Sequence, residues 1–141
     1  MRVNEIFYSI QGEGAHSGEA AIFLRLSGCN LRCPFCDTEH QSYQDLTDDE
    51  IASETAKYPA PLVVITGGEP TLQLTRSLVD KIHDLGKMVA IETNGTREVP
   101  SNVDWVTVSP KEAFVGSAGK PIIKTAQEVK IVLDGKTLYA D

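Results

Sequence analysis

No stretch of this sequence comes near the roughly 20 consecutive apolar residues that a membrane-spanning helix needs. LVVI at 62–65 is representative of its apolar runs. The N-terminus, MRVNEIFYSIQGEG, lacks the apolar core and cleavage site of a secretory leader. Basic charge is also scarce, with 13 Lys and Arg against 20 Asp and Glu, a formal net of −7. Broad nucleic-acid binding needs a cationic surface to neutralise phosphates, so that class is set aside. A small anionic substrate is not excluded, because one or two placed Arg or Lys residues can hold it. Linkers, low-complexity segments and close repeats are missing too. A full eight-unit β/α barrel takes about 250 residues, more than the 141 available. The expectation is a cytoplasmic protein forming a single domain over 1–141. Its 41% hydrophobic content excludes disorder as the main state and suffices for a core.

Apolar strands alternate with helices along the chain. Ala20–Leu26 reads as a buried strand, with apolar residues on both parities. A Cys-rich loop follows. Thr47-Asp-Asp-Glu50 is a capping-box pattern opening a helix to about Lys57, closed by Pro59 and Pro61. Leu62–Thr66 is a second strand, ended by Gly67-Gly68. Leu74, Leu78, Ile82 and Leu85 trace one face of a helix starting at Thr71, with Gly86 as its stop. Met88–Glu92, Val103–Val108 and Glu128–Leu133 complete a set of about five strands. The segment 112–127 has no clear period. This alternation predicts an α/β fold with a mostly parallel sheet, too short to close and so a partial β/α barrel, with the cysteine loop after the first strand. The polar and glycine-rich motifs all follow strands, where ligands collect in such sheets.

All three cysteines, Cys29, Cys33 and Cys36, fall within eight residues as C-x3-C-x2-C. Three unrelated buried thiols rarely cluster in this way. A disulfide framework conflicts with the odd count and the expected compartment. Two metal readings remain. One is structural zinc, with His40 as the fourth ligand of a Cys3His site. The other is a [4Fe–4S] cluster on three thiolates, which leaves one iron open to a cofactor or substrate.

Two further features bear on that choice. Phe35 stands immediately before the third cysteine, and the next strand ends in Gly-Gly-Glu-Pro (67–70). Together they resemble the signature of the radical S-adenosylmethionine superfamily. Gln11-Gly-Glu-Gly14, FLRLSGCNLRCPFCDT, GGEP, ETNG (92–95) and SPK (109–111) further resemble the 7-carboxy-7-deazaguanine synthase family, over nearly the whole chain. That family converts 6-carboxy-5,6,7,8-tetrahydropterin to 7-carboxy-7-deazaguanine with loss of ammonia. It is a carbon–nitrogen lyase of queuosine and 7-deazapurine biosynthesis.

The resemblance implies a [4Fe–4S] cluster, S-adenosylmethionine and Mg²⁺ as cofactors. It also implies a flavodoxin-type electron donor and a homodimer, with no nucleic acid and no membrane as partners. Cys29, Cys33 and Cys36 would ligate the cluster and Thr38 the Mg²⁺. Phe35, Cys36, Asp37, Gly67, Gly68, Glu69, Glu92, Ser109, Pro110 and Lys111 would meet S-adenosylmethionine. Ile10, Gln11, Gly12, Glu13, Arg25 and Thr66 would meet the carboxypterin, with Arg25 offering a planar fork to its carboxylate. Members of the family continue past the point where this sequence stops, so their C-terminal segment is expected to be lacking.

A glycyl-radical-enzyme activase is the competing radical reading, disfavoured by QGEG and CDT. A non-enzymatic zinc module is the competing metal reading. His16 and His83 read as solvent-facing, Trp105 as core, Asn94-Gly95 as a turn. For Glu92, a cofactor-facing role and a helix-side or structural role are equally compatible.

Overall fold

The computed structural model describes residues 1–12, 16–28, 43–109 and 126–129. In chain order the elements are β1 (Arg2–Ile10), β2 (Ala20–Leu26), β3 (Gln44–Asp45), α1 (Asp48–Ala56), β4 (Leu62–Gly67), a 3-10 turn (Pro70–Leu72), α2 (Arg76–Asp84), β5 (Met88–Thr93), β6 (Trp105–Val108) and β7 (Glu128–Val129). One seven-stranded sheet runs in the order β3-β1-β2-β4-β5-β6-β7 among the described residues. From β2 to β7 every pairing is parallel. β1 lies antiparallel to β2, and β3 antiparallel to β1. Among the described residues the sheet is open, with β3 and β7 as its outermost strands.

The α/β class and the mostly parallel, unclosed sheet agree with the sequence reading. The strand count and the loop's position do not. Arg2–Ile10 is a strand, so the cysteine loop follows the second strand. Its signal is masked because the register slips between Val3 and Glu5, breaking the two-residue alternation on which strand recognition depends. β3 is only two residues long.

The first helix begins where its capping box predicts. Thr47 Oγ1 accepts from the Glu50 N–H at 3.1 Å, and Glu50 Oε1 accepts from the Thr47 N–H at 3.0 Å. The second starts later than expected, at Arg76. Thr75 is extended (φ −114°, ψ 154°) and its hydroxyl caps the Leu78 N–H at 3.2 Å. Upstream, Thr71 is captured by the Glu69 carboxylate, which makes Pro70–Leu72 a separate turn.

Both helices contribute to the core on one face of the sheet. There Ile22, Leu24, Leu26, Val63, Ile65, Val89 and Ile91 meet Ile51, Leu78, Val79 and Ile82 in one buried cluster. Each fully buried aliphatic side chain contributes about 1.5–3 kcal/mol, so this cluster dominates stability. The opposite parity carries a smaller buried group, Ala21, Leu62, Val64 and Ala90, flanked by Phe23 and Trp105. That second face holds the candidate site. Among the described residues no helix is long and apolar enough to cross a membrane.

Candidate active site

Four parallel strands end side by side, and each runs directly into one of the sequence motifs. Backbone hydrogen bonds stitch these ends together. Gly68 N–H donates to Leu26 O at 3.1 Å, Glu69 N–H to Gly28 O at 2.8 Å, and Ser109 N–H to Thr93 O at 2.8 Å. The GGEP turn is thereby tied to Gly28, the residue before Cys29. Gly67 makes the approach possible. Its φ is +145°, and a Cβ there would lie 2.1 Å from Leu26 O. No side chain fits between these two backbones.

Glu69 is buried, 1% exposed, and its carboxylate is the hub between neighbouring strand ends. Oε2 accepts from the Thr71 N–H at 3.0 Å, from the Thr71 hydroxyl and from Thr93 Oγ1 at 2.6 Å. Oε1 accepts the Asn94 N–H at 2.7 Å. A carboxylate needs such donors to be tolerated in a dry site. Asn94 is therefore more than a turn residue. It also folds its own loop, its Oδ1 accepting from the Thr96 N–H at 3.0 Å and from Thr96 Oγ1 at 2.7 Å.

The stem of the cysteine loop is held a second time. Gln73 Nε2 donates to Ser27 O at 2.7 Å, while Gln73 Oε1 accepts the Arg2 N–H at 2.7 Å. The Arg2 guanidinium packs beside Gly28 and lies 5.8 Å from the centre of the Tyr43 ring, so it touches residues flanking both ends of the loop. Sequence inspection missed Arg2 and Gln73, since neither lies in a motif.

The face that no described helix covers is a groove. A cavity of about 520 Å³ there is lined by Ile10, Gln11, Gly12, Arg25, Thr66 and Glu92, together with Phe7, Ser9 and Phe23. All of these but the last three were sequence candidates. Arg25 and Thr66 are direct partners across β2 and β4. The Arg25 side chain, 34% exposed, pairs with Glu5 Oε1 at 3.4 Å. Its guanidinium carbon lies 5.9 Å from the Phe7 ring centre. One face of the guanidinium is thus supported while the group still borders the cavity. Glu92 lines the groove, which removes the helix-side reading. A second cavity, about 190 Å³, adjoins through Gln11 and Glu92 and is also lined by His16, Trp105, Thr107 and Glu128.

One assignment requires correction. His16 does not face solvent. Its side chain is 16% exposed, with the ring edge-on to Trp105 at 4.7 Å. Trp105 packs as expected, against the smaller core of Ala21, Leu62, Val64 and Ala90, and it also lines the groove. The contact itself was not legible in the sequence, since it joins the β1–β2 turn to β6 through side chains alone. His83 is about one-third exposed and pairs with Asp104 Oδ2 at 2.7 Å. Cys29, Cys33, Phe35, Cys36, Asp37, Thr38 and His40 lie outside the described residues, as do Glu13, Pro110 and Lys111. Among the described residues no cluster of His, Cys, Asp or Glu is placed to hold a metal.

Residues 24–113 match the Radical SAM superfamily. The 7-carboxy-7-deazaguanine synthase of Bacteroides thetaiotaomicron is 52% identical over 97% of this chain and 72% of its own length. That of Neisseria meningitidis serogroup B is 40% identical over 97% of this chain and 65% of its own. The chain thus spans about two-thirds of the length of these relatives. The crystal structure of QueE from Escherichia coli superposes with a TM-score of 0.81 at 32% identity, over 92% of this chain and 69% of that one. With its strand-end motifs stitched around an open groove, the chain belongs to the 7-carboxy-7-deazaguanine synthase family, enzymes of the radical SAM superfamily.

Proposed function

We propose that this chain converts 6-carboxy-5,6,7,8-tetrahydropterin to 7-carboxy-7-deazaguanine and ammonia, a step toward queuosine and related deazapurines. The observation that carries the reading is the groove itself. Arg25, Thr66, Gln11 and Glu92 border one cavity on the face whose strand ends bear GGEP and the stem of the cysteine loop.

The described residues fit the family's cofactors. Between Gly67 and Leu26 there is room for backbone only, and Glu69 spends its carboxylate on holding the turn. The carbonyl groups of such a turn are suited to an ammonium group such as that of S-adenosylmethionine. In this reading Cys29, Cys33 and Cys36 hold the [4Fe–4S] cluster, and Phe35, Asp37, Gly67, Gly68, Glu69, Ser109, Pro110 and Lys111 surround S-adenosylmethionine. Thr38 supplies an oxygen to Mg²⁺, a hard cation that takes oxygen ligands. When bound, cluster and S-adenosylmethionine supply the radical that takes a hydrogen from the pterin.

The chain's own residues bind and orient the substrate. Arg25 receives the pterin carboxylate with a guanidinium already buttressed by Phe7, so little side-chain freedom is lost on binding. Thr66 offers a hydroxyl beside it in register. Ile10, Gln11 and Gly12 form the wall contributed by the end of β1, and Glu13 follows them in the sequence. Glu92 puts a carboxylate between the two cavities, within reach of ring N–H groups.

A single radical SAM unit over 1–141, a flavodoxin-type reductant and a cytoplasmic setting complete the reading. The reducing cytoplasm suits three free thiols. Homodimer formation would cover a sheet edge such as β7, where Val129 is 60% exposed. The test is anaerobic reconstitution with iron and sulfide, followed by incubation with reductant, S-adenosylmethionine, Mg²⁺ and the carboxypterin. Formation of 7-carboxy-7-deazaguanine with stoichiometric ammonia is expected. Cleavage of S-adenosylmethionine without that product would refute the substrate assignment.

A further inference from the structure

Only two side-chain polar atoms among the described residues are buried without a hydrogen-bond partner, His16 Nε2 and Asn102 Oδ1. The Asn102 amide is already anchored through its nitrogen to Asp80 and to the Arg76 carbonyl. His16 is different, because it borders a cavity. Its Nδ1 lies 2.9 Å from Glu19 Oε2. A carboxylate only accepts, so Nδ1 carries the proton, and in the neutral tautomer this leaves Nε2 as an acceptor. The ring is also held in place by its edge contact with Trp105. Turning Nε2 outward to water would sacrifice both contacts.

The neighbouring polar groups share this character. Glu128 Oε2 accepts from Trp105 Nε1 at 3.4 Å and from Thr107 Oγ1 at 3.3 Å, so it presents a carboxylate at the same cavity. Glu92 lies at the junction with the larger cavity, where Arg25 is the cation. One part of the groove therefore offers positive charge, and the adjoining part offers acceptors. A ligand matching both has a carboxylate at one end and N–H donors at the other. A carboxypterin has this polarity, with its 6-carboxylate opposite the 2-amino group and ring N–H of the pyrimidine.

We propose that His16 is a substrate-binding residue whose Nε2 accepts a hydrogen bond from the 2-amino group of the carboxypterin, Glu19 and Trp105 holding the ring for that contact. The assignment rests on the function proposed above. Glu19 and Trp105 are positioning residues in it.

The test is calorimetric titration of the cluster-loaded, S-adenosylmethionine-bound protein with the carboxypterin and with an analogue lacking the 2-amino group. His16→Phe keeps a ring against Trp105 and removes the acceptor. It is expected to weaken the carboxypterin roughly three- to tenfold, as loss of one hydrogen bond does. Affinity for S-adenosylmethionine and for the analogue should stay unchanged. His16→Gln, which restores an acceptor, should recover part of the loss. Emission from Trp105, the sole tryptophan, reports whether each variant is folded. His16→Ala repeats the comparison if the phenylalanine variant is not. Unchanged carboxypterin affinity, or an equal loss for substrate and analogue, overturns the role of His16. Failure of the unsubstituted protein to bind the carboxypterin at all overturns instead the activity on which the proposal rests.

Discussion

The two faces of the sheet are built from the same strands and differ in almost every other respect. On the helix side, β2 contributes Ile22, Leu24 and Leu26, all fully buried, and β5 contributes Val89 and Ile91. On the groove side, one residue along, β2 contributes Phe23 and Arg25 and β5 contributes Glu92. The first face is aliphatic because two helices exclude water from it. The second carries aromatics, a guanidinium, hydroxyls and carboxylates, because no described helix covers it and a polar ligand can. Strand alternation lets a single segment build both, with a packed core on one parity and a polar groove on the other. The two faces meet at the strand ends, where Gly67 and Glu69 pack the backbone beneath the proposed site.

The largest effect on stability is expected at that meeting point. Gly67→Ala puts a Cβ within 2.1 Å of the Leu26 backbone at φ +145°. Backbone cannot step aside cheaply, so a loss of about 4 kcal/mol or more is expected, with cluster incorporation falling alongside. A native-like melt with full iron loading would contradict the close-approach argument.

Leu24→Ala tests the helix face alone. It leaves a cavity in the main core and should cost roughly 2–5 kcal/mol in a denaturant titration. Any protein that remains folded should bind the carboxypterin normally, because the groove parity is untouched.

Arg25→Ala is the converse. Its pair with Glu5 is partly exposed, so stability should change by less than about 1 kcal/mol. Carboxypterin affinity should fall more than about tenfold. Arg25→Lys should rescue it only in part, since the planar fork is lost. Equal damage to stability and binding would erase the distinction between the faces.

The smallest effect is expected far from both, at the exposed contact between the helices. Lys81 Nζ donates to Asp49 Oδ1 at 2.8 Å. That hydrogen bond, and then the Asp49 charge, raises the Lys81 pKa above its ordinary 10.5. A raised pKa in the folded state means that the contribution is present below the unfolded value and lost as pH climbs through the folded one. Lys81→Met should therefore shift the melting temperature slightly at neutral pH and low salt. The difference should vanish in high salt and in strongly alkaline solution. A shift insensitive to both would indicate packing by the lysine stem instead of its charge.

Local pattern was enough for much of this protein. The capping box at Thr47, the stop at Gly86 and the apolar runs of β2, β4 and β5 depend on neighbours within a few residues, and they form where those neighbours dictate. The glycine and polar motifs after strands indicated that they would gather at one edge of the sheet, because parallel strands bring their ends to one side. What local pattern lacked was register and pairing. The slip in β1 destroys its period, so a strand that supplies one wall of the groove was invisible until it paired with β2. Arg25 read as a charge in an apolar strand, but its Glu5 and Phe7 partners come from that hidden strand. His16 read as a loop residue, and only the sheet order sets it against Trp105 from 89 positions later. Glu69 was recognisable as part of a motif. Its four donors, drawn from the following turn and the next strand, became evident only once those backbones were folded around it. Elements follow from short-range sterics and hydrogen bonding, which the sequence carries in order. The groove follows from contacts between distant residues, which exist only after the sheet has chosen its neighbours.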